Sequence, residues 1–330
     1  MSETPLEYRR NEALETILTQ FSGNPYDGLQ FHNLTPRHQP RIRDLLNWSL
    51  HRGEARAARK ADPERPALVP WDASNPAFQN GVTWLGHASL LLQTPGLRIL
   101  IDPVERYPFM NRLVPPHTPW NEVLSPDFLL VSHGHFDHLD ARLIKRIDAE
   151  RSQALVPLNL GQWITKANPA LAIQEAGWFQ KFALQRSDVE IVLLPAQHWH
   201  RRGFNDMNRM LWGSFWIRMG GKTIYFAGDT AYGPHFRQIR DVMGAPDIAI
   251  LPIGAYQPDF IMKESHMNPG EAVQASNDLG AKVMIPCHWG TFALSDEPPG
   301  EPIRKLRELV KQGKVKAQVQ ELGICGSYGF

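Results

Sequence analysis

Short apolar runs bounded by turn residues recur from the second quarter of the chain to its end. Runs of this length without polar alternation are typical of strands that a sheet buries on both faces. Helical signals separate the later runs, and this alternation predicts an α/β fold with covered sheets. The strands are predicted at 82–85, 89–93, 98–101, 128–131, 189–194, 223–227, 248–251 and 283–286.

The helices between and after these strands have marked starts. One begins at Asn268, where Pro269 follows at once and Glu271 stands three residues on, which is the pattern of a capping box. Two more helices are predicted over 141–150 and 302–311, from an N-cap signal and from a single apolar face respectively.

The residues before Gly81 follow a different pattern. Residues 5–21 place apolar side chains among charges at helical spacing, and we predict an amphipathic helix there. Residues 24–80 are rich in proline and arginine, with one apolar stripe flanked by arginines. We interpret the stripe as a covering helix, and contact with an anionic membrane surface is the alternative. The stripe consists of Ile42, Leu45, Leu46 and Leu50.

Length and charge narrow the class of protein. At 330 residues the chain fits a single two-layered sandwich with extensions, and its formal net charge of +1 argues against a nucleic-acid partner. We found neither a signal-peptide pattern nor an apolar run of about 18 residues. We therefore expect a cytoplasmic chain, with peripheral contact at the inner membrane face left open. Cys287 and Cys325 are expected to stay reduced.

Metal-ligand side chains crowd together directly after the run at 128–131. Imidazoles and a carboxylate without thiolate are the ligand set of a catalytic zinc site or of a similar divalent ion, and a polar surface loop with chance histidines is the alternative. The alternation around Gly134 points two imidazoles to one side, so one loop can serve two ions. These residues are His133, His135, Asp137 and His138.

Three further strands deliver a histidine or an aspartate just past their ends. His198 follows the run at 189–194, Asp229 follows 223–227 and His288 follows 283–286. Rigid strands aim the residues beyond their ends at a common point, so this recurrence predicts one site built from distant segments.

The pattern His-x-His-x-Asp-His after a hydrophobic strand resembles the signature of the metallo-β-lactamase superfamily. The resemblance implies an αββα sandwich with a metal pair between the sheet edges. We predict such a catalytic domain at 81–330, with a helical and proline-rich extension at 1–80 packed on it. Position by position, the resemblance implies that His133, His135 and His198 hold one ion, that Asp137, His138 and His288 hold the second, and that Asp229 bridges them.

Two divalent ions, expected to be Zn²⁺ with Mn²⁺ or Fe²⁺ as alternatives, fit hydrolytic chemistry. Ions about 3.5 to 4 Å apart share a water whose pKa falls toward neutrality, which gives a hydroxide nucleophile at ordinary pH. Asp137 and Asp229 then take catalytic roles as well as ligand roles. His200 is a rival to His198, and His87 either approaches the metals or fills a hydrogen-bonded corner. Cys287 is interpreted as a small buried hydrophobe.

A closer resemblance joins residues 24 to 297 to the branch of N-acylphosphatidylethanolamine-hydrolysing phospholipase D and its bacterial relatives. It implies zinc-dependent cleavage of a phosphodiester on a lipid headgroup, with His266 facing the site as a substrate-contacting or proton-donating group. The loop at 105–120 and the first fifty residues depart from the pattern. The segments that carry the resemblance are Trp84 to His87, Ser132 to Asp140, Pro195 to Trp199, Leu211 to Ser214, Phe226 to Thr230, Pro252 to Tyr256 with Met262 and Lys263, and His288 to Leu294.

The substrate leaves alternatives open. Residues 199–216 interleave aromatic and methionine side chains with arginines, which is typical of an acyl-chain groove or of ordinary core packing. A phospholipid is the expected substrate, and a phosphorylated sugar lactone, as in ascorbate-6-phosphate lactonases, is the alternative. A non-catalytic metal-binding protein is a third hypothesis, and a homodimer is left open.

Overall fold

The computed structural model describes residues 6–36, 48, 53–108 and 110–330. Two β-sheets pack face to face, and helices cover their outer faces. Ile42, Leu45, Leu46 and Leu50, which form the predicted basic stripe, lie outside the described residues. Among the described helices, none combines the length and hydrophobicity needed to span a lipid bilayer.

Within the described residues the strands follow one another along the chain as β1 (Glu7–Arg9), β2 (Glu15–Thr16), β3 (Asn24–Tyr26), β4 (Gly81–Gly86), β5 (Ser89–Thr94), β6 (Leu97–Ile101), β7 (Phe128–Leu130), β8 (Gln153–Pro157), β9 (Ala172–Ala176), β10 (Gln180–Lys181), β11 (Val189–Leu194), β12 (Ser214–Met219), β13 (Lys222–Phe226), β14 (Ile248–Pro252), β15 (Val283–Cys287), β16 (Gln318–Val319) and β17 (Ser327–Gly329). The helices are α1 (Gly53–Ala61), α2 (Pro76–Gln79), α3 (Ala141–Ile144), α4 (Gly161–Ala167), α5 (His235–Met243), α6 (Asp259–Met262), α7 (Pro269–Leu279) and α8 (Glu301–Lys311), with a 3₁₀ turn at Trp120–Glu122.

The order of the strands sets where their ends lie. One sheet runs β17-β4-β5-β6-β7-β8-β9, and the facing sheet runs β16-β15-β14-β13-β12-β11-β10-β2. In the first sheet β6 and β7 are parallel. In the second, β13, β14 and β15 are parallel, and β11 shares their direction because β12 is antiparallel to both β11 and β13. Strands that share a direction end at the same edge of a sheet, so the segments after them meet there.

The apolar runs reflect strands that are covered on both faces. In β5, Leu90 and Leu92 face the core between the sheets, in a cluster that also contains Phe215 of β12. Leu91, between them, faces the opposite side, in a second apolar cluster with Leu143 of α3. Side chains alternate across a strand, so a strand with apolar partners on both faces shows no polar alternation. The predicted αββα fold is confirmed.

The helix predictions differ in accuracy. At α7 the predicted capping box is present, because the Asn268 side chain accepts from the Glu271 amide and the Glu271 carboxylate accepts from the Asn268 amide. Helix α3 ends at Ile144 instead of residue 150. Beyond it the backbone bonds tighten to three-residue turns, and the amide of Asp148 donates to the carbonyl of Leu124 at 3.0 Å. The contact with a neighbouring loop ends the helix.

The predicted amphipathic helix at residues 5–21 is wrong. The segment forms β1 and β2 instead, and β2 pairs with the edge strand β10. The Gln180 side chain fixes this arrangement, because its amide donates to the Asn11 carbonyl at 2.8 Å and its carbonyl accepts from the Asn11 amide at 2.8 Å. Ile17 and Phe21 still pack against the core. The apolar side chains that suggested a helix are therefore buried by a segment that pairs with a distant strand instead.

Asp62 ties the segment after α1 to the start of α8. Its carboxylate accepts hydrogen bonds from the Gly300 amide at 2.9 Å and from the Arg304 guanidinium at 2.9 Å. Burial alone raises the pKa of Asp62, but the hydrogen bonds from Arg304 and from backbone amides outweigh burial and lower the pKa to about 2. The folded state therefore favours the ionised carboxylate.

We expect Asp62→Asn to lower the free energy of unfolding by about 1–3 kcal/mol at pH 7. The folded pKa lies below the unfolded value of about 3.9, so the contribution is complete above about pH 4 and is lost as the pH falls from there toward 2. Urea unfolding at pH 7 and pH 3 should show the gap between variant and parent shrink at the lower pH. Asp241→Asn, on the exposed side of α5, is the control, and a gap of equal size at both pH values would contradict the prediction.

Candidate metal centre

Segments that follow four strands meet between the edges of the two sheets. His133 follows β7, His198 follows β11, Asp229 follows β13 and His288 follows β15. All four side chains are buried. The structure brings together the whole set of sequence-predicted ligands, in two clusters that both lie beside the carboxylate of Asp229. This set consists of His133, His135, Asp137, His138, His198, Asp229 and His288.

The first cluster surrounds one point with ring nitrogens and a carboxylate oxygen. His133 Nε2 and His198 Nε2 lie 2.9 and 3.2 Å from His135 Nδ1. Asp229 Oδ2 lies 3.9 Å from His133 Nε2 and 3.8 Å from His198 Nε2. Three imidazoles and one carboxylate at such separations match the tetrahedral donor set of a divalent transition metal.

The second cluster uses the other oxygen of the same carboxylate. Asp229 Oδ1 lies 3.2 Å from His138 Nε2 and 3.1 Å from His288 Nε2. Asp137 Oδ2 lies 3.7 and 3.5 Å from the same two nitrogens. Asp229 therefore presents one oxygen to each cluster, which is the geometry of a carboxylate that bridges two ions.

Several buried polar atoms at this place are unsatisfied by the protein. A buried polar atom without a partner costs free energy, and native structures contain few of them. Here these atoms lie together between two clusters of ligand residues. Bound cations would be partners for the imidazole nitrogens and the carboxylate oxygen alike. Among the residues that the structure describes, the atoms at this site without a hydrogen-bond partner include His138 Nε2, Asp229 Oδ1, His266 Nδ1 and His288 Nε2.

Residues behind the clusters hold the imidazoles in place. Asp102 accepts from His138 Nδ1 at 2.7 Å, and it also accepts from the amide and the hydroxyl of Ser132 at 2.7 and 2.6 Å. His198 Nδ1 donates to the carbonyl of Ser265 at 3.0 Å. A hydrogen bond on one ring nitrogen selects the tautomer that leaves the other nitrogen free to bind metal.

A cleft of about 390 Å³ opens above the two clusters. His266 lies in its wall, with Nδ1 3.7 Å from Asp229 Oδ2. The guanidinium of Arg202 lies 4.2 Å from the ring centroid of Phe136 and donates to the Gly134 carbonyl at 3.0 Å. The wall thus combines apolar and cationic groups, among them Tyr107, Trp199, Arg201, Arg202, Met262 and His266.

Comparison with known proteins identifies the family. The model of the beta-lactamase superfamily domain matches residues 97–289, which include every strand that ends at the site. The chain belongs to the beta-lactamase superfamily. Its two clusters lie between the sheet edges, where the resemblance placed the metal pair of this superfamily.

Two known proteins are similar to this chain over most of its length. N-acyl-phosphatidylethanolamine-hydrolyzing phospholipase D 1 of Caenorhabditis elegans is 36% identical over 245 residues, which are 69% of this chain and 69% of that protein. The mitochondrial N-acyl-phosphatidylethanolamine-hydrolyzing phospholipase D of Saccharomyces cerevisiae is 30% identical over 350 residues, covering 97% of this chain and 72% of the yeast protein.

A solved structure shows the same fold. Igni18, a metallo hydrolase of the archaeon Ignicoccus hospitalis, superposes with a TM-score of 0.56 at 24% sequence identity. The superposition covers 76% of this chain and 99% of Igni18. The two-sheet fold of this chain therefore matches that of a solved structure.

His87 occupies the hydrogen-bonded corner that the sequence favoured, and it also contacts the site. Its carbonyl accepts from Trp84 Nε1 at 2.7 Å and from the His288 amide at 2.9 Å, and its Nε2 lies 3.0 Å from Asp137 Oδ2. The backbone at His87 has a φ of 53°, which is uncommon for a residue with a side chain. His87 thus holds Asp137 and His288 in position relative to each other.

Two residues raised by the sequence, His200 and Cys287, and one histidine of the loop at 105–120, His117, belong to no ligand group within the described residues. Among the described residues, His200 joins neither cluster; its Nε2 lies 3.5 Å from Asp206 Oδ2. A Cβ on Gly134 would lie 2.2 Å from His200 Cε1, so the buried His200 ring requires glycine there. His117 Nε2 lies 2.6 Å from the carbonyl of Val69, and Cys287 is a buried free thiol in the core.

Sequence reasoning missed Asp102. Asp102 directly follows the strand predicted at 98–101, and its side chain holds both His138 and Ser132. Its place at a strand end was visible in the sequence, but only the structure shows that β6 is the parallel neighbour of β7, which leads to His133. A carboxylate at this strand end is expected to lie beside the histidine loop.

Burial dominates the electrostatics of the first cluster. It lowers the pKa of His133 and of His198 well below the usual value for histidine, and it lowers the pKa of His135 to about 3. These three imidazoles are therefore neutral at pH 7, which is the form that binds metal.

Carboxylates dominate the second cluster. Burial alone lowers the pKa of His138 and of His288, but Asp229 and Asp137 outweigh burial, raising the pKa of His138 well above its usual value and that of His288 to about 9. Burial alone raises the pKa of Asp137 and of Asp229, and the imidazole charges lower both. The buried carboxylates are ionised and need positive charge nearby, which bound cations would supply.

Proposed function

We propose that this chain is a phosphodiesterase of the phospholipase D type, acting on N-acylphosphatidylethanolamine or a related phospholipid. The observation that carries the proposal is Asp229, whose two oxygens serve the two ligand clusters at the base of a cleft with apolar and cationic walls. The similarity to two phospholipases D over most of the chain supports the substrate class.

The chain is a metal-dependent hydrolase of the beta-lactamase superfamily, and this general class is separate from the proposed substrate and metal. For the metal, we propose that the two clusters hold two zinc ions. Imidazole and carboxylate donors without thiolate favour zinc in a catalytic site over a structural zinc site. His133, His135 and His198 would hold one ion, Asp137, His138 and His288 the other, and Asp229 both.

Bound there, two such ions would supply Lewis acidity toward a phosphoryl oxygen and lower the pKa of a water molecule. The protein contributes the geometry. Asp102 and Ser265 keep the imidazoles oriented, and His87 keeps Asp137 in place, where its carboxylate can orient an attacking water. Burial of the clusters excludes bulk water from these interactions.

The cleft residues would act on the substrate. Arg201 and Arg202 line the cleft together with Asp229, and guanidinium groups form strong charge-assisted hydrogen bonds with phosphate. Hydrolysis adds water across the bond between phosphorus and the headgroup oxygen, so a proton must reach the leaving oxygen. His266 is the cleft imidazole nearest to Asp229, and we assign it to donate a hydrogen bond or a proton to that oxygen.

A headgroup-release assay tests the proposal. We expect zinc-loaded protein to convert N-acylphosphatidylethanolamine into phosphatidic acid and N-acylethanolamine in equal amounts, and metal analysis of the same sample to find about two ions per chain. A panel with other phospholipids and a phosphorylated sugar lactone includes the main rival substrate. Turnover of the lactone without release of any headgroup would refute the phospholipase proposal and favour a lactonase.

A further inference from the structure

Phe204 is the most exposed large apolar side chain among the described residues, at 95% of its full accessibility. It lies in residues 200–210, which we call the cleft loop, next to Gly203. Arg201, Arg202 and Gly203 of this loop line the cleft above the ligand clusters. The exposed ring therefore lies at the mouth of the candidate active site.

Hydrogen bonds within the cleft loop hold Phe204 in its exposed position. The carboxylate of Asp206 accepts from the amides of Arg202 and Gly203 at 3.1 and 2.8 Å. Asn208 donates to the carbonyl of His200 at 2.8 Å, and its side chain accepts from the His200 amide at 3.0 Å. A single exposed apolar ring is common on protein surfaces, so its role depends on the side chains around it.

Other apolar side chains surround the same opening. Met110 and Met262 line the cleft, and Met110 is 39% exposed. Phe260 precedes Met262 in α6 and is 37% exposed, while Met207 of the cleft loop is 36% exposed. The exposed apolar groups therefore lie on more than one side of the cleft, on separate segments of the chain.

The charges around Phe204 are cationic. Arg201 and Arg209 are exposed on the cleft loop, whereas the one carboxylate of the loop, Asp206, is engaged by backbone amides. Apolar side chains flanked by arginines are the combination that inserts at the boundary between headgroups and acyl chains of an anionic lipid surface. Charge complementarity thus favours a membrane over an uncharged partner.

We propose that the cleft rim, formed by Met110, Arg201, Phe204, Met207 and Phe260, docks on a bilayer that contains anionic phospholipid. This inference rests on the proposed function, because the substrate of that reaction resides in a bilayer. We expect the cleft, of about 390 Å³, to take the phosphodiester and the ethanolamine unit while the acyl chains, including the N-acyl chain, stay outside. A rim seated in the headgroup layer would bring the scissile bond to the ligand clusters without extracting the lipid.

Sedimentation of the full chain with vesicles tests the docking. The vesicles consist of phosphatidylcholine, with or without about one third phosphatidylglycerol, and contain no N-acylphosphatidylethanolamine. We expect binding to the anionic vesicles that weakens with added salt, and about tenfold weaker binding for Phe204→Ser. Val310→Ser, at a 44% exposed position of α8 outside the cleft lining, is the matched control and should bind like the parent.

Hydrolysis rates on a soluble and on a vesicle-borne substrate distinguish a loss of membrane docking from a loss of catalysis. With a small soluble phosphodiester, bis(p-nitrophenyl) phosphate, Phe204→Ser should keep its rate within about twofold, whereas hydrolysis of vesicle-borne substrate should fall about tenfold. Vesicle binding without hydrolysis of any lipid would support the docking surface and overturn only the proposed function. Equal vesicle binding by Phe204→Ser and the parent would overturn the docking surface, as would self-association without vesicles that Phe204→Ser abolishes.

Discussion

Replacing Asp229 by Asn is expected to lower kcat/KM by at least about 10³-fold and to reduce the bound metal well below two ions per chain. The side chain is 3% exposed, and its two oxygens approach His138, His288 and the first cluster separately. Asparagine keeps the volume but loses the charge and one acceptor oxygen. Neither cluster then retains a shared anion to balance two cations.

Metal analysis and kinetics on the same preparations test this expectation. Asp241→Asn removes a carboxylate from an exposed position of α5 and is expected to keep both metal and activity. Circular dichroism should show a folded Asp229→Asn variant, because the strands that carry the site are buried independently of this side chain. Full activity and full metal content in the variant would refute the bridging assignment.

The sequence predicted the scaffold of the site well because its strands are covered on both faces. The run at 189–194 coincides with β11. The run before Asp229 is shifted by one residue from β13, and the run before His288 ends one residue before β15 does. Continuous burial leaves a continuous apolar pattern, so the ends of such strands are visible in the sequence. The residues just beyond those ends could therefore be assigned to one place. That they bind metal stays a prediction.

Contacts between distant segments were beyond the reach of the pattern. The helix predicted at 5–21 was wrong because pairing of β2 with β10 depends on Gln180, far along the chain. The role of Asp102 was missed because it depends on which strand lies beside β7. Local periodicity carries no information on either pairing.

The segment at 199–216 shows a further limit of composition. Trp212 and Trp216 are fully buried in the apolar core, as the core-packing alternative held. Trp199 lines the cleft, and Phe204 points into solvent. One aromatic-rich stretch therefore supplies the core, the cleft wall and the cleft rim, because the chain leaves the cleft loop and enters β12 within a few residues.

Replacing His266 by Gln is expected to lower kcat on a phospholipid by about 10²- to 10³-fold while leaving the bound metal unchanged. His266 Nδ1 has no hydrogen-bond partner within the described part of the chain, and the ring lies in the cleft wall beside Asp229. Glutamine keeps a hydrogen-bonding amide but cannot transfer a proton. Metal content measured beside kcat distinguishes a proton donor from a ligand.

Comparing two substrates whose leaving groups differ in basicity tests the proton-donor role of His266 more directly. An alkoxide needs a proton as it departs, whereas p-nitrophenolate is stable without one, so the loss in His266→Gln should be large for the phospholipid and small for bis(p-nitrophenyl) phosphate. His117→Gln, at a histidine that contacts the Val69 carbonyl away from the clusters, should change neither rate. Equal losses on both substrates, together with lost metal, would instead assign His266 to the ligand set, where its position between Asp229 and His288 also fits.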